Sequence, residues 1–143
     1  MHIFQVVIDT NIIVSALCAR NGAASKVLRL IDSGAFDIHI SIPLVLEYED
    51  VLKRGKFDRW WTFQEADDVI DYICSIATQH KIWYLWRPYL PDAKDDFVLE
   101  LAIKSQATYI VTYNTKDFKS AQALGIMPIT PEEFLERLEK KHE

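Results

Sequence analysis

The sequence predicts an α/β domain with a mainly parallel central sheet, and three observations carry that prediction. Near the start, "HIFQVVID" is a continuous β-branched apolar run, the mark of a strand buried on both faces. Short runs of the same character recur at "FDIHI" (36–40) and "TYIVT" (108–112), with weaker ones at "IWYL" (82–85) and "IMPI" (126–129). Between these runs lie segments with helical spacing.

"AASKVLRLIDSG" sets Ala24, Val27, Leu28 and Ile31 at helical intervals and ends on Gly34. Ser41 is a fitting N-cap for "IPLVLEYEDVLKRG", which stops at Gly55. Further helices are predicted over 63–79, 95–106 and 131–141. A length of 143 residues fits one domain, 1–143, and its 50% apolar content supplies a core that buries roughly 70% of the unfolded surface. Only four glycines and five prolines occur, so no linker is expected. The charged tail "ERLEKKHE", from about residue 136, is the one candidate for disorder.

No apolar run approaches the ~20 residues of a membrane span, and the N-terminus lacks a signal-peptide pattern, so a cytoplasmic protein with no membrane partner is expected. Cys18 and Cys74 have no C-x-x-C spacing and are read as small core residues. His2, His39, His80 and His142 are scattered without ligand-like spacing. The net charge of −5 argues against indiscriminate nucleic-acid binding. Lys53, Arg54, Lys56 and Arg59 make a local exception, either a phosphate-attracting patch or the solvated end of a helix.

In sheets of this kind ligands bind beyond the carboxyl ends of the strands. Asp9 falls at the end of the first strand, inside "VVIDTNIIVSAL", where a carboxylate interrupts an otherwise apolar run. Thr112 ends the strand "TYIVT", and Asp117 follows the polar turn "YNTKD". On the helix after Ser41, Glu47 lies about 40° from Val51 and about 60° from Leu44, so it aims inwards, whereas Glu49 and Asp50 are surface acids. Asp95 lies about 40° from Leu99 and about 20° from Ala102, again on the inward face. Asp96 points about 100° away from Asp95, nearer Glu100 and Ile103, and ranks second.

Each acid has an ordinary explanation as a helix cap, a dipole partner or half of an ion pair. Four independent caps have no reason to converge on one crevice. Converging carboxylates repel unless a cation neutralises them, and oxygen-only ligands select a hard ion, Mg²⁺ or Mn²⁺. Such an ion supports phosphodiester hydrolysis by activating water and shielding charge, without a histidine base.

"VVIDTNIIVSAL", "SIPLVLEYEDVLKRGKF" and "PDAKDDFVLELAIKSQATYIVTYNTKDF" resemble, in order and spacing, the motifs of PIN-domain ribonucleases, specifically the toxin-like branch of prokaryotic toxin–antitoxin pairs. The resemblance covers residues 3 to 135. It implies a three-layer α/β/α fold in which Asp9, Glu47, Asp95 and Asp117 form the acidic metal-binding set. The adjacent Asp95 and Asp96 leave open which one ligates. Thr10 and Asn11 would brace Asp9, while Thr112 and Asn114 would line the pocket. Two departures are local: Ala93 stands where the family often has proline, and Gln106 stands in a segment where it often has glycine. The resemblance further implies metal-dependent RNA cleavage, a homodimer and a cognate antitoxin partner. Trp60 and Trp61 are read either as an exposed patch for a protein or RNA partner, or as a pair split between core and surface. Competing readings are a non-catalytic PIN scaffold that binds RNA or protein, and a phosphotransfer enzyme built on Asp9; for the latter, Asn11 stands where a second acid is wanted and Lys116 is only a loose match.

Overall fold

Five short strands, the central three rich in β-branched and aromatic residues, pair in parallel in a computed structural model that describes residues 3–81 and 96–141. β1 (Phe4–Ile8) lies at the centre, flanked by β2 (Phe36–Ser41) and β4 (Tyr109–Val111). β3 (Thr78–His80) extends the β2 side and β5 (Met127–Ile129) the β4 side, giving the order β3-β2-β1-β4-β5. Helices cover both faces, forming a three-layer α/β/α domain. Val6, Val7, Ile110 and Val111 are solvent-free at its centre. The order of strand addition reverses at β1, with β2 and β3 laid down on one side and β4 and β5 on the other, and this switch point opens a crevice beyond the carboxyl ends of β1 and β4.

Among the described residues six α-helices pack around the strands: α1 (Thr10–Cys18), α2 (Ala23–Arg29), α3 (Ile42–Leu52), α4 (Phe63–Ile76), α5 (Asp96–Ser105) and α6 (Pro131–Lys141). Ser41 caps α3 as expected, accepting from the Leu44 N–H. A Thr62/Glu65 capping box starts α4, satisfying two otherwise orphaned donors. α1 directly after Asp9, and a ten-residue 3-10 helix at Thr115–Leu124, complete the frame of the crevice.

Several expectations change. The helix ending at Gly55 closes at Leu52, and Gly55 opens a 3-10 turn to Phe57. The helix over 63–79 ends at Ile76, because Thr78–His80 pairs with β2 as an exposed edge strand whose residues, "TQH", carry no apolar alternation. The charged tail is helical through Lys141, since Leu138 is buried beneath α6. Cys18 is exposed and so is not a core residue, while Cys74 is half-buried and packs against the edge of the core. "IWYL" and Ala93 lie outside the described residues.

At the amino ends of the strands, Phe134 of α6 sits edge-on to Phe36 at 4.9 Å and within 5.8 Å of Tyr109, which meets Phe4 at 5.1 Å. These rings close that end of the sheet, leaving the other end for polar chemistry.

Candidate active site

Asp9 leaves β1 and immediately caps α1, so one residue is both strand end and helix start. Its Oδ1 accepts from the Thr10 N–H at 2.8 Å. Its Oδ2 accepts from the Thr112 hydroxyl at 2.8 Å and from Asn11 Nδ2 at 3.3 Å. Thr112 reaches it because Ile8 and Val111 stand in register, carrying the chain into the crevice from both central strands. The same Thr112 oxygen accepts from the Asn114 backbone N–H at 3.0 Å. Asn11 completes the brace, since its Oδ1 accepts from the Tyr113 N–H at 3.3 Å and thereby turns its amide nitrogen towards Asp9.

Glu47 enters from α3. The Thr10 hydroxyl donates to Glu47 Oε2 at 2.6 Å, so Thr10 joins the two acids, with its N–H on one and its hydroxyl on the other. Next to Glu47, the fully buried Tyr48 donates its hydroxyl to the Ile8 carbonyl, fixing α3 against the end of β1. Burial, Glu47 and Asp117 together push the Asp9 pKa up to about 6, against the hydrogen bonds from Thr112 and Thr10 that lower it. Burial is the largest cause. The Tyr48 hydroxyl is raised as well, first by burial and then by the charges of Asp9 and Glu47.

Asp9, Glu47, Thr10, Asn11 and Thr112 are therefore brought together, and Asp117, in the first turn of the long 3-10 helix, stands close enough for its charge to act on Asp9. Asn114 contributes its backbone N–H, while its side chain is exposed. Asp95 lies outside the described residues. Asp96, expected to point away from the inward face, is fully buried, and Glu100 on the same stripe is 3% exposed. The 100° argument fails there because α5 is covered nearly all round, touching β1, β2, β3, β4, α3 and the 3-10 helix.

Oxygen donors only, an excess of negative charge and an Asp9 carboxylate whose charge burial disfavours fit a hard divalent cation. Among the described residues no group of three or more His, Cys, Asp or Glu side chains is placed to hold a metal ion. Mg²⁺ does not need one, since it is commonly held by one or two carboxylates with water and substrate phosphate filling the rest.

Sequence reasoning missed three polar residues of this region. Tyr48 reads in the sequence as one more apolar-face residue, Glu100 only as a helix neighbour of Asp96, and Tyr113 as part of a turn. No spacing rule distinguishes them. The histidines are not all scattered: His39 Nδ1 lies 2.8 Å from His80 Nε2, and His39 Nε2 lies 2.6 Å from Gln5 Oε1. Of the four clustered cations, Lys53 pairs with Asp67 and Glu49 and Arg54 with Asp50, as a solvated helix end would. Trp61 is buried, its indole N–H donating to the Leu52 carbonyl, and Trp60 is 61% exposed, so the pair is split between core and surface.

No curated protein matches the chain. Its fold is similar to that of a chain in the crystal structure of VapBC2 from Rickettsia felis bound to a DNA fragment from their promoter, with a TM-score of 0.62 and 17% identity over 89% of this chain and 98% of that one. A family model described as PIN domain matches residues 5–116, spanning Asp9, Glu47, Asp96 and Thr112, and the chain belongs to the PIN-domain family.

Proposed function

We propose that the protein is a divalent-metal-dependent endoribonuclease and the toxin component of a toxin–antitoxin pair. The observation that carries this reading is the braced Asp9 at the β1/β4 switch point, joined to Glu47 through Thr10 and raised to a pKa of about 6. A structural cap alone would not need a second acid tied to it.

Asp9, Glu47 and Asp117, with Asp95 or Asp96, would hold Mg²⁺ or Mn²⁺. When bound, the ion supplies water activation and screening of the phosphodiester charge. Thr112 and Asn11 keep Oδ2 of Asp9 oriented, and Thr10 holds Glu47 at a set separation from it. Asn114 steadies Thr112 through its main chain. The toxin-like motifs and the fold shared with VapBC2 support an antitoxin partner and a cytoplasmic setting, and the homodimer follows from the same motifs.

The test is cleavage of total RNA by purified protein with EDTA, Mg²⁺ or Mn²⁺, beside Asp9→Asn and Asp95→Asn variants. Metal-dependent cutting lost in both variants, with their thermal unfolding intact, is the expected result. Wild-type cutting by Asp9→Asn would end the metal-site assignment. Metal binding without any cutting would move the protein to the scaffold reading.

A further inference from the structure

We infer that Tyr113 is the stacking platform for one base of a single-stranded RNA lying in the crevice, an inference that rests on the ribonuclease reading above. Tyr113 is the residue after Thr112, whose hydroxyl holds Asp9. Its backbone N–H donates to Asn11 Oδ1, and Asn11 in turn donates to Asp9. Its position is thus set by the same side chains that set the acid.

The other end of Tyr113 is also tied down. Its hydroxyl donates to Glu132 Oε1 at 3.0 Å, in the first turn of α6. Despite these anchors the residue is 41% exposed. With hydroxyl and N–H both engaged, what it offers to solvent is mainly ring carbon. An aromatic face held at two points loses little freedom when a base settles on it, and every base has a π-face to offer.

Other exposed aromatics do not share this placement. Trp60 and Tyr72 line a separate cleft of about 500 Å³ with Leu17, Arg20 and Arg29, towards the far end of α1 from Asp9. Phe63 starts α4, beside Lys53. Among the described exposed aromatics, Tyr113 is the one hydrogen-bonded to a residue that touches Asp9. Stacking without base-edge hydrogen bonds tolerates any sequence, so the contact would position the strand without choosing the target.

The experiment measures initial cleavage rates against concentration of total RNA for wild type, Tyr113→Phe, Tyr113→Ala and Trp60→Ala. Anisotropy of a labelled oligouridine and its abasic counterpart is read in parallel on the cleavage-dead Asp9→Asn background. Tyr113→Ala is expected to raise KM and Kd about tenfold while kcat stays within about twofold, as loss of one stacked base implies. Trp60→Ala should match wild type, and Tyr113→Phe, which keeps the ring but loses its tether to Glu132, should fall between wild type and Tyr113→Ala. The abasic probe should lose affinity for Asp9→Asn but not for Asp9→Asn/Tyr113→Ala. A wild-type enzyme that cuts, with Tyr113→Ala unchanged, overturns the stacking inference alone. Tyr113→Phe as damaging as Tyr113→Ala also overturns it, because the hydroxyl tether would then be what matters. If Tyr113→Ala is misfolded by thermal unfolding, Tyr113→Leu gives the same reading. Wild-type protein that neither cuts nor binds overturns the ribonuclease reading and this inference together.

Discussion

The two ends of the central strands are built on opposite terms. At the amino end, Phe134 of α6 meets the rings of Phe4, Phe36 and Tyr109 at 4.9 to 6.4 Å, and Phe4 meets Tyr109 at 5.1 Å. At the carboxyl end, Asp9 and Thr112 are just as buried but polar, and they are tolerated because Thr10, Asn11 and Asn114 supply hydrogen bonds. Apolar burial adds stability directly, whereas a buried carboxylate beside two others subtracts from it. The sheet therefore keeps its stabilising contacts at one end and its strained, reactive ones at the other.

The largest expected effect breaks the apolar end. Phe134→Ala removes a solvent-free ring between Phe36 and Tyr109 and should cost about 3–5 kcal/mol in urea unfolding. The fraction that remains folded should cleave RNA with unchanged KM, since Phe134 packs on Phe4, Phe36 and Tyr109 at the opposite end of the strands from Asp9. A selective loss of kcat in folded protein would mean that the two ends are coupled.

At the acidic end the sign reverses. Burial pushes the Asp9 pKa up to about 6 in the folded protein, against 3.8 for an unperturbed aspartate. Between these values the metal-free folded state binds the proton more readily than the unfolded chain, so the penalty of a charged Asp9 is full above pH 6 and is relieved as pH falls towards 3.8. A shift of two units is worth about 2–3 kcal/mol. In EDTA, Asp9→Asn should accordingly be more stable than wild type at pH 7.5, and the gap should close by pH 4. The histidine pair runs the other way. Burial lowers both pKa values, most for His39 and His80 from desolvation, with His80 and Lys104 as the next causes respectively, so their stabilisation is complete above pH 6.5 and lost as pH falls below it. Because both proteins carry the pair, the difference between them isolates Asp9. A constant gap across pH would show that charge is not what Asn removes.

A smaller change tests how the two acids are held. Tyr48→Phe deletes the bond to the Ile8 carbonyl while keeping the ring buried, and should cost about 1–2 kcal/mol. Since Ile8 precedes Asp9 and Tyr48 follows Glu47, kcat should fall more than KM rises. Equal effects on both, or none on kcat, would reduce Tyr48 to a core residue.

The legibility of these features in the sequence follows from how local their physics is. β1, β2 and β4 were readable because continuous β-branched runs have few other uses, and the Ser41 cap because its partner is three residues away. Asp9 stood out because a charge inside an apolar run is costly anywhere. β3 was unreadable because "TQH" is held by pairing with β2 and not by its own pattern. The burial of Asp96 and Glu100 depends on how many elements surround α5, a property of the assembled fold that no helical wheel contains. The histidine contact likewise needs β2 and β3 side by side, joining residues 41 apart in sequence.

The smallest effect returns to the amino end, where two helices close in the same way with different residues. Gly125, with φ of 79°, lets the Ile126 N–H reach the Ala121 carbonyl and its own N–H reach Gln122. At the end of α5, Gln106 takes the same left-handed turn with φ of 56°, the Ala107 N–H reaching Ala102 and its own N–H reaching Ile103. A side chain in that region is strained, and glycine is not. Gln106 is exposed, so Gln106→Gly gives up no packing, and the relief outweighs the added freedom of the unfolded chain. A gain of about 0.5–1 kcal/mol is expected, seen as a rise of a few °C in Tm with kcat/KM unchanged. Because α5 runs from the acid-bearing Asp96 to this turn at the amino edge, a change in kcat/KM with Gln106→Gly would mean that its two ends move together, and the separation of stability from chemistry along the sheet would not extend to the helix beside it.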